Sequence, residues 1–161
     1  MLKELDRAIE MRTKGEQKES NELLIKLAKE FPDDAVINYQ CAWSFDVLGA
    51  ESKAVPYYEN AIKIGLSGKD LEGAIVGLGS TYRTLGQYEK SSDIFEMGMG
   101  LYPNNEAIKV FYSLTLYNLR EHGRAMELLL NSLIATTKDE DILSYKKAIG
   151  FYSDKLDQTW K

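Results

Sequence analysis

Gly79–Pro103 reads GSTYRTLGQYEKSSDIFEMGMGLYP. A small residue, Gly79, precedes an aromatic, Tyr82, and a Leu85–Gly86 break follows. Then come Tyr88, a small residue at Ser91, an aromatic at Phe95, a small residue at Gly98 and a proline at Pro103. Two amphipathic helices joined by a tight glycine turn give this order. Small residues mark where helices cross closely, and the proline stops the second helix.

The same order occurs three more times. Ala8, Gly15, Ser20, Leu24, Leu27 and Pro32 form the first copy. Ala42, Phe45, Leu48, Gly49, Ala54, Tyr58 and Ala61 form the second. Tyr117, Leu119, Ala125, Leu129 and Ser132 form the fourth, with a turn, Arg120-Glu121-His122-Gly123, that reads one residue short. The small residue on the second helix recurs at Ser20, Ala54, Ser91 and Ala125, at intervals of 34, 37 and 34 residues. A period near 34 with helix–turn–helix content is the tetratricopeptide signature, and the chain resembles that family over residues 1–136. The large aromatic that the family often carries early in the first helix is missing: Glu4, Asn38, Ile75 and Val110 stand there.

The resemblance implies an all-α fold, a right-handed α-solenoid of four repeats at about 1–34, 35–69, 70–104 and 105–136, with 137–161 as a C-terminal capping helix. The periodicity predicts helices over 2–13, 17–30, 35–48, 52–64, 70–85, 88–101, 105–119, 122–136 and 140–158. Asp33 or Asp34 suits the cap before Ala35, Ser67 the cap before Asp70, and Thr137 with Glu140 a capping box. Pro56 falls near a helix start, where a missing N–H does least harm, with a bend of the second turn as the alternative.

At 161 residues, 44% hydrophobic and 28% charged, the chain has the balance of one globular domain. A net charge of −5 argues against a nucleic-acid partner. No apolar run is long enough to span a membrane, and Met1–Arg12 is charged rather than a secretory leader. The single Cys41 fits a reducing, cytoplasmic setting.

The inventory for chemistry is poor, so no catalytic, cofactor or metal residue is expected. The lone His122 sits at a turn, Cys41 lies on an apolar helix stripe with no histidine to activate it, and the pair gives zinc no ligand set. Gly65-Leu66-Ser67-Gly68-Lys69 lacks the spacing of a phosphate loop and reads as a connector. Gly77, Gly79 and Met97-Gly98-Met99-Gly100 lie inside helices, where glycine allows close crossing. Acidic pairs such as Asp33-Asp34 fall at helix starts and complement the helix dipole.

The helix over 35–48 carries two apolar stripes. Cys41, Ala42, Phe45 and Leu48 suit its own partner helix; Val36, Tyr39, Trp43 and Val47 are either buried by neighbours or face a partner. The family resemblance implies that the second stripe lines an inner, peptide-binding surface. The matching positions are Leu5, Ile9 and Arg12 in the first repeat, Val76 and Arg83 in the third, and Phe111, beside Ile108 and Thr115, in the fourth. The lysine–asparagine pairs by which some members clamp a partner's C-terminal carboxylate are absent; Leu5, Ile9, Tyr39 and Trp43 occupy those places. An apolar groove of this kind suits a protein or peptide partner, an amphipathic helix, or a second copy in a homodimer. In the tail, Ile142, Tyr145, Ile149, Tyr152 and Leu156 form a stripe that either caps the fourth repeat or pairs with another copy. The expected function is non-enzymatic protein binding, with a homodimeric scaffold as the alternative, and an enzyme or a nucleic-acid-binding regulator behind both.

Overall fold

The computed structural model describes Leu2–Lys161, so Met1 lies outside the described residues. Among the described residues all regular structure is helical: α1 (Leu2–Thr13), α2 (Gln17–Glu30), α3 (Ala35–Val47), α4 (Glu51–Ile64), α5 (Gly68–Thr84), α6 (Tyr88–Leu101), α7 (Glu106–Asn118), α8 (His122–Thr136), α9 (Glu140–Ser144) and α10 (Lys146–Tyr152). The first eight fall within two residues of where the apolar periodicity places them. None is long and apolar enough to cross a membrane.

The chain divides into two compact units, one ending at Gln87 and one spanning Tyr88–Lys161. In the first, α3 is the central element and packs on α1, α2, α4 and α5. Ala8, Leu24, Ile37, Cys41, Ala42, Ala54, Ala61, Ile75 and Leu78 form its core. Burial pushes the Cys41 thiol up to about 12, so it stays protonated among its apolar neighbours. In the second unit α7 lies between α6 and α8, and α10 packs on α8. Phe95, Ile108, Tyr112 and Leu116 are its core.

The recurring small residues sit where helices meet. Ser20, Ala54, Ser91 and Ala125 are all buried. The two serine hydroxyls are satisfied locally: Ser20 Oγ donates to the Ala8 carbonyl at 2.7 Å, and Ser91 Oγ shares a 2.7 Å hydrogen bond with Thr115 Oγ1. Asn21 Nδ2 donates to Ser44 Oγ at 2.8 Å, and that hydroxyl donates onward to the Cys41 carbonyl at 2.7 Å. Buried polar groups must be paired in this way or each costs about 1–3 kcal/mol.

Four turns between consecutive helices share one device. Gly15, Gly49, Gly86 and Arg120 all have positive φ, at 88°, 67°, 74° and 65°. They recur at the same intervals as the small residues, so the fourth turn is of full length and Arg120 stands where the others have glycine. The stretch Arg120–Gly123 is therefore not one residue short, and its Gly123 is the second residue of α8.

Capping follows the sequence in part. Asp34 accepts from Ile37 N and Asn105 from Ile108 N, each closing the first turn of its helix. Ser67 makes no side-chain cap, and α5 begins at Gly68. The capping box at Thr137 does not form, because Asp139 caps α9 by accepting from Ile142 N at 2.9 Å. Pro56 lies well inside α4, not at its start. The helix expected over 140–158 is two short pieces that meet at Tyr145, and the chain from Ser153 onward is not helical. Its stripe is correspondingly uneven: Ile142 and Ile149 are half-buried, whereas Tyr145, Tyr152 and Leu156 are exposed.

Candidate partner-binding cleft

Within the first unit a cleft of about 520 Å³ opens between α3 and α5, over Tyr58 of α4. Its α3 wall is Tyr39, Trp43, Asp46 and Val47, and its α5 wall is Gly73, Val76 and Gly77. The spacing of these residues explains the shape. Positions 39, 43, 46 and 47 share one helical face, as do 73, 76 and 77. The two glycines let tyrosine rings lie directly on the α5 backbone. A methyl group on Gly73 would collide with the Tyr39 hydroxyl, and one on Gly77 would collide with the Tyr58 hydroxyl and lie 2.5 Å from Cζ.

The aromatic groups are layered. Tyr39 stacks on Trp43 with centroids 6.0 Å apart and tilts against Tyr58 at 6.3 Å. Tyr58 is buried, Tyr39 is only 7% exposed, and Trp43 is 42% exposed. Arg12 reaches over from α1: its guanidinium carbon lies 4.0 Å from the Trp43 ring centroid. Arg12 Nη2 also donates to Gln40 Oε1 at 2.6 Å, which fixes the arginine against the indole. Burial lowers the Arg12 pKa without removing its charge.

One carboxylate closes the cleft. Tyr58 Oη donates to Asp46 Oδ2 at 2.6 Å. Thr81 Oγ1 lies 3.0 Å from Asp46 Oδ1 and 2.8 Å from the Gly77 carbonyl, its single proton shared between them. Burial raises the Asp46 pKa, and these two hydroxyls oppose that rise. The Tyr58 phenol is pushed up in turn, first by burial and then by the Asp46 charge.

The predicted groove residues separate into groups. Tyr39, Trp43, Val47 and Val76 meet in the cleft, and Arg12 joins them through Trp43. Leu5, at 8% exposure, is core rather than surface. Tyr39, at 7% exposure, offers the cleft little surface. Ile9 is half-buried and Val36 exposed; neither lines the cleft, and Arg83, near the end of α5, does not either. Phe111 belongs to the second unit, where with Val110, Leu129 and Leu133 it lines a separate apolar cleft of about 450 Å³. Ile108 and Thr115, expected beside it, are fully buried. His122 is the exposed first residue of α8, its ring 4.8 Å from that of Tyr117. Two participants escaped the sequence reading. Asp46 is a charged residue inside an apolar run, and Gly73 precedes Gly77 by one helical repeat; both signals were visible but neither says what it faces.

Several solved structures share the fold. MamA from Desulfovibrio magneticus RS-1, from residue 41 to its end, matches with a TM-score of 0.73 and 14% identity, over 94% of this chain and 84% of that one. The anaphase-promoting-complex hetero-tetramer Cut9–Hcn1 matches with a TM-score of 0.75 and 19% identity, over 92% of this chain and 29% of that one. YrrB, described as a tetratricopeptide protein with an unusual peptide-binding site, matches with a TM-score of 0.70 and 15% identity, over 88% and 71% of the two chains. At such identities the likeness concerns the fold alone. No curated protein matches significantly by sequence. The tetratricopeptide repeat family model, however, matches residues 35–156, most of the chain. Repeat period, left-handed turns, buried small residues and this match agree, and the chain belongs to the tetratricopeptide repeat family.

Proposed function

We propose that the chain is a non-catalytic protein-interaction module that holds a peptide or helix against the α3–α5 cleft. The observation that carries this is Trp43, a large aromatic left 42% exposed on the wall of a cleft whose floor is packed. Exposed aromatics in a preformed concavity are the usual anchors of recognition. The peptide-binding site named for YrrB agrees with this reading by analogy. The lone buried thiol suits work in the cytoplasm.

Trp43→Ala tests it. A fully buried tryptophan costs about 3–5 kcal/mol on truncation. Trp43 should cost only about 1–2 kcal/mol, part of it the stacked Arg12, worth about 0.5–1 kcal/mol. Urea unfolding measures this cost, and affinity capture with wild type beside the variant measures the loss of partner binding. Full core-like destabilisation with an unchanged set of captured proteins would sink the proposal.

A second reading, self-association, is favoured by the tail. Phe151, Tyr152 and Trp160 form a cluster with centroids 5.1–6.2 Å apart, each side chain about half exposed. Sedimentation of wild type and Trp160→Ala over a wide concentration range should then show a dimer weakened by the substitution. A strictly monomeric wild type removes this reading.

A further inference from the structure

The α3–α5 cleft is apolar along its walls and acidic at one end. Asp46 is half-buried, lines the cleft, and has no ion pair among the described residues. An ionised carboxylate offers about four acceptor positions, and the Tyr58 and Thr81 hydroxyls account for two. Both are neutral donors, so the negative charge itself is uncompensated. Arg12, whose charge acts on Tyr39 and Tyr58, is held against Trp43 by its bond to Gln40 and makes no ion pair with Asp46. A second carboxylate, Asp70, acts on Tyr39 on the same wall, adding to the effect of burial in raising that phenol. At its Asp46 end, the face presented to a partner is therefore apolar and negative.

Resting on the peptide-binding reading above, we infer that the partner seats a basic side chain, lysine or arginine, against Asp46 while its apolar neighbours cover Trp43, Val47 and Val76. Charge complementarity decides this. A cation entering here meets a poorly screened carboxylate, an attraction that strengthens as water leaves. An acidic side chain or a free C-terminal carboxylate would meet like charge at the same point, which costs affinity and sets specificity. The long aliphatic stem of lysine or arginine also suits the apolar walls, with only its tip reaching Asp46.

The test is selection from a random peptide display library on the intact protein, with Asp46→Asn and Trp43→Ala run beside the wild type. Asparagine keeps the size of Asp46, and the Tyr58 hydroxyl can accept from its amide, so folding is checked by circular dichroism and expected to persist. Wild type should enrich peptides with a lysine or arginine flanked by apolar residues. Replacing that residue by norleucine in a selected peptide should weaken binding to wild type about tenfold or more, and hardly at all to Asp46→Asn. Should Asp46→Asn fail to fold, glutamate and norleucine replacements in the peptide carry the test, glutamate being the worse of the two. Peptides that need Trp43 but show no basic preference, or bind Asp46→Asn as tightly, overturn the inference and leave the cleft reading standing. Peptides indifferent to Trp43→Ala, or no enrichment at all, overturn both.

Discussion

Gly73 and Gly77 stand one helical repeat apart, yet a methyl group would meet different obstacles at the two sites. At Gly77 it would press on the ring of buried Tyr58, 2.5 Å from Cζ and 2.9 Å from Cε1, as well as on its hydroxyl. Tyr58 is anchored by its bond to Asp46 and cannot step aside. Overpacking of this kind costs about 1–3 kcal/mol, against about 1 kcal/mol gained because alanine suits a helix better than glycine. Gly77→Ala should therefore destabilise the protein on urea unfolding. At Gly73 the collision is with the tip of Tyr39, whose Cζ is a tolerable 3.2 Å away. Removing that tip in Tyr39→Phe should rescue most of the loss in Gly73→Ala, whereas Tyr58→Phe should not rescue Gly77→Ala. Equal rescue at both sites would show that the Tyr58 hydroxyl alone, not its ring, makes the collision at Gly77.

At the scale of an element, the α7–α8 connection stands apart from its three counterparts. Arg120 holds a left-handed conformation that its Cβ disfavours by roughly 1–2 kcal/mol, where Gly15, Gly49 and Gly86 hold it freely. Three residues on, Gly123 is the second residue of α8, and beyond its chain neighbours and its own helix backbone nothing lies within 4 Å of where a Cβ would sit. Glycine and side chain are thus exchanged relative to what each position wants. Arg120→Gly should raise stability by about 1 kcal/mol, and Gly123→Ala by up to about 1 kcal/mol. The sites share no partner in the structure, so thermal melts of the double variant should show near-additive gains. A loss of stability in Arg120→Gly would mean that the guanidinium makes a contribution larger than the backbone strain. The tail repeats the lesson in another form. A 3/4 apolar spacing predicted one helix, but Asp139 starts α9 and Tyr145 interrupts it after 5 residues. Periodicity says which face of a helix would be apolar; it does not say that the helix is uninterrupted.

Over the whole molecule, burial is uneven. α3 buries most of its side chains, while α9 and α10 bury none. Repeat proteins derive stability from contacts between neighbouring elements, so protection should follow that gradient rather than form one block. Native-state hydrogen exchange should find the slowest amides in α3 and the fastest helical amides in α9 and α10. Uniform protection from α1 to α10 would contradict this.

The number, order and ends of the first eight helices were legible because each rests on local physics: apolar residues every three to four positions, a left-handed turn, a cap, a proline. The family was legible for the same reason, since a 34-residue period survives when residue identities drift. What faces what was not legible. Leu5 and Trp43 read alike as apolar positions on an inner stripe, and only packing made the one core and left the other exposed. Asp46 read as an interruption in an apolar run. It became the charged end of a cleft because Tyr58 and Thr81, 12 and 35 residues away in the chain, bring their hydroxyls to it. Helix formation is decided within a few residues, whereas the environment of a side chain is decided by neighbours that only the folded chain brings close.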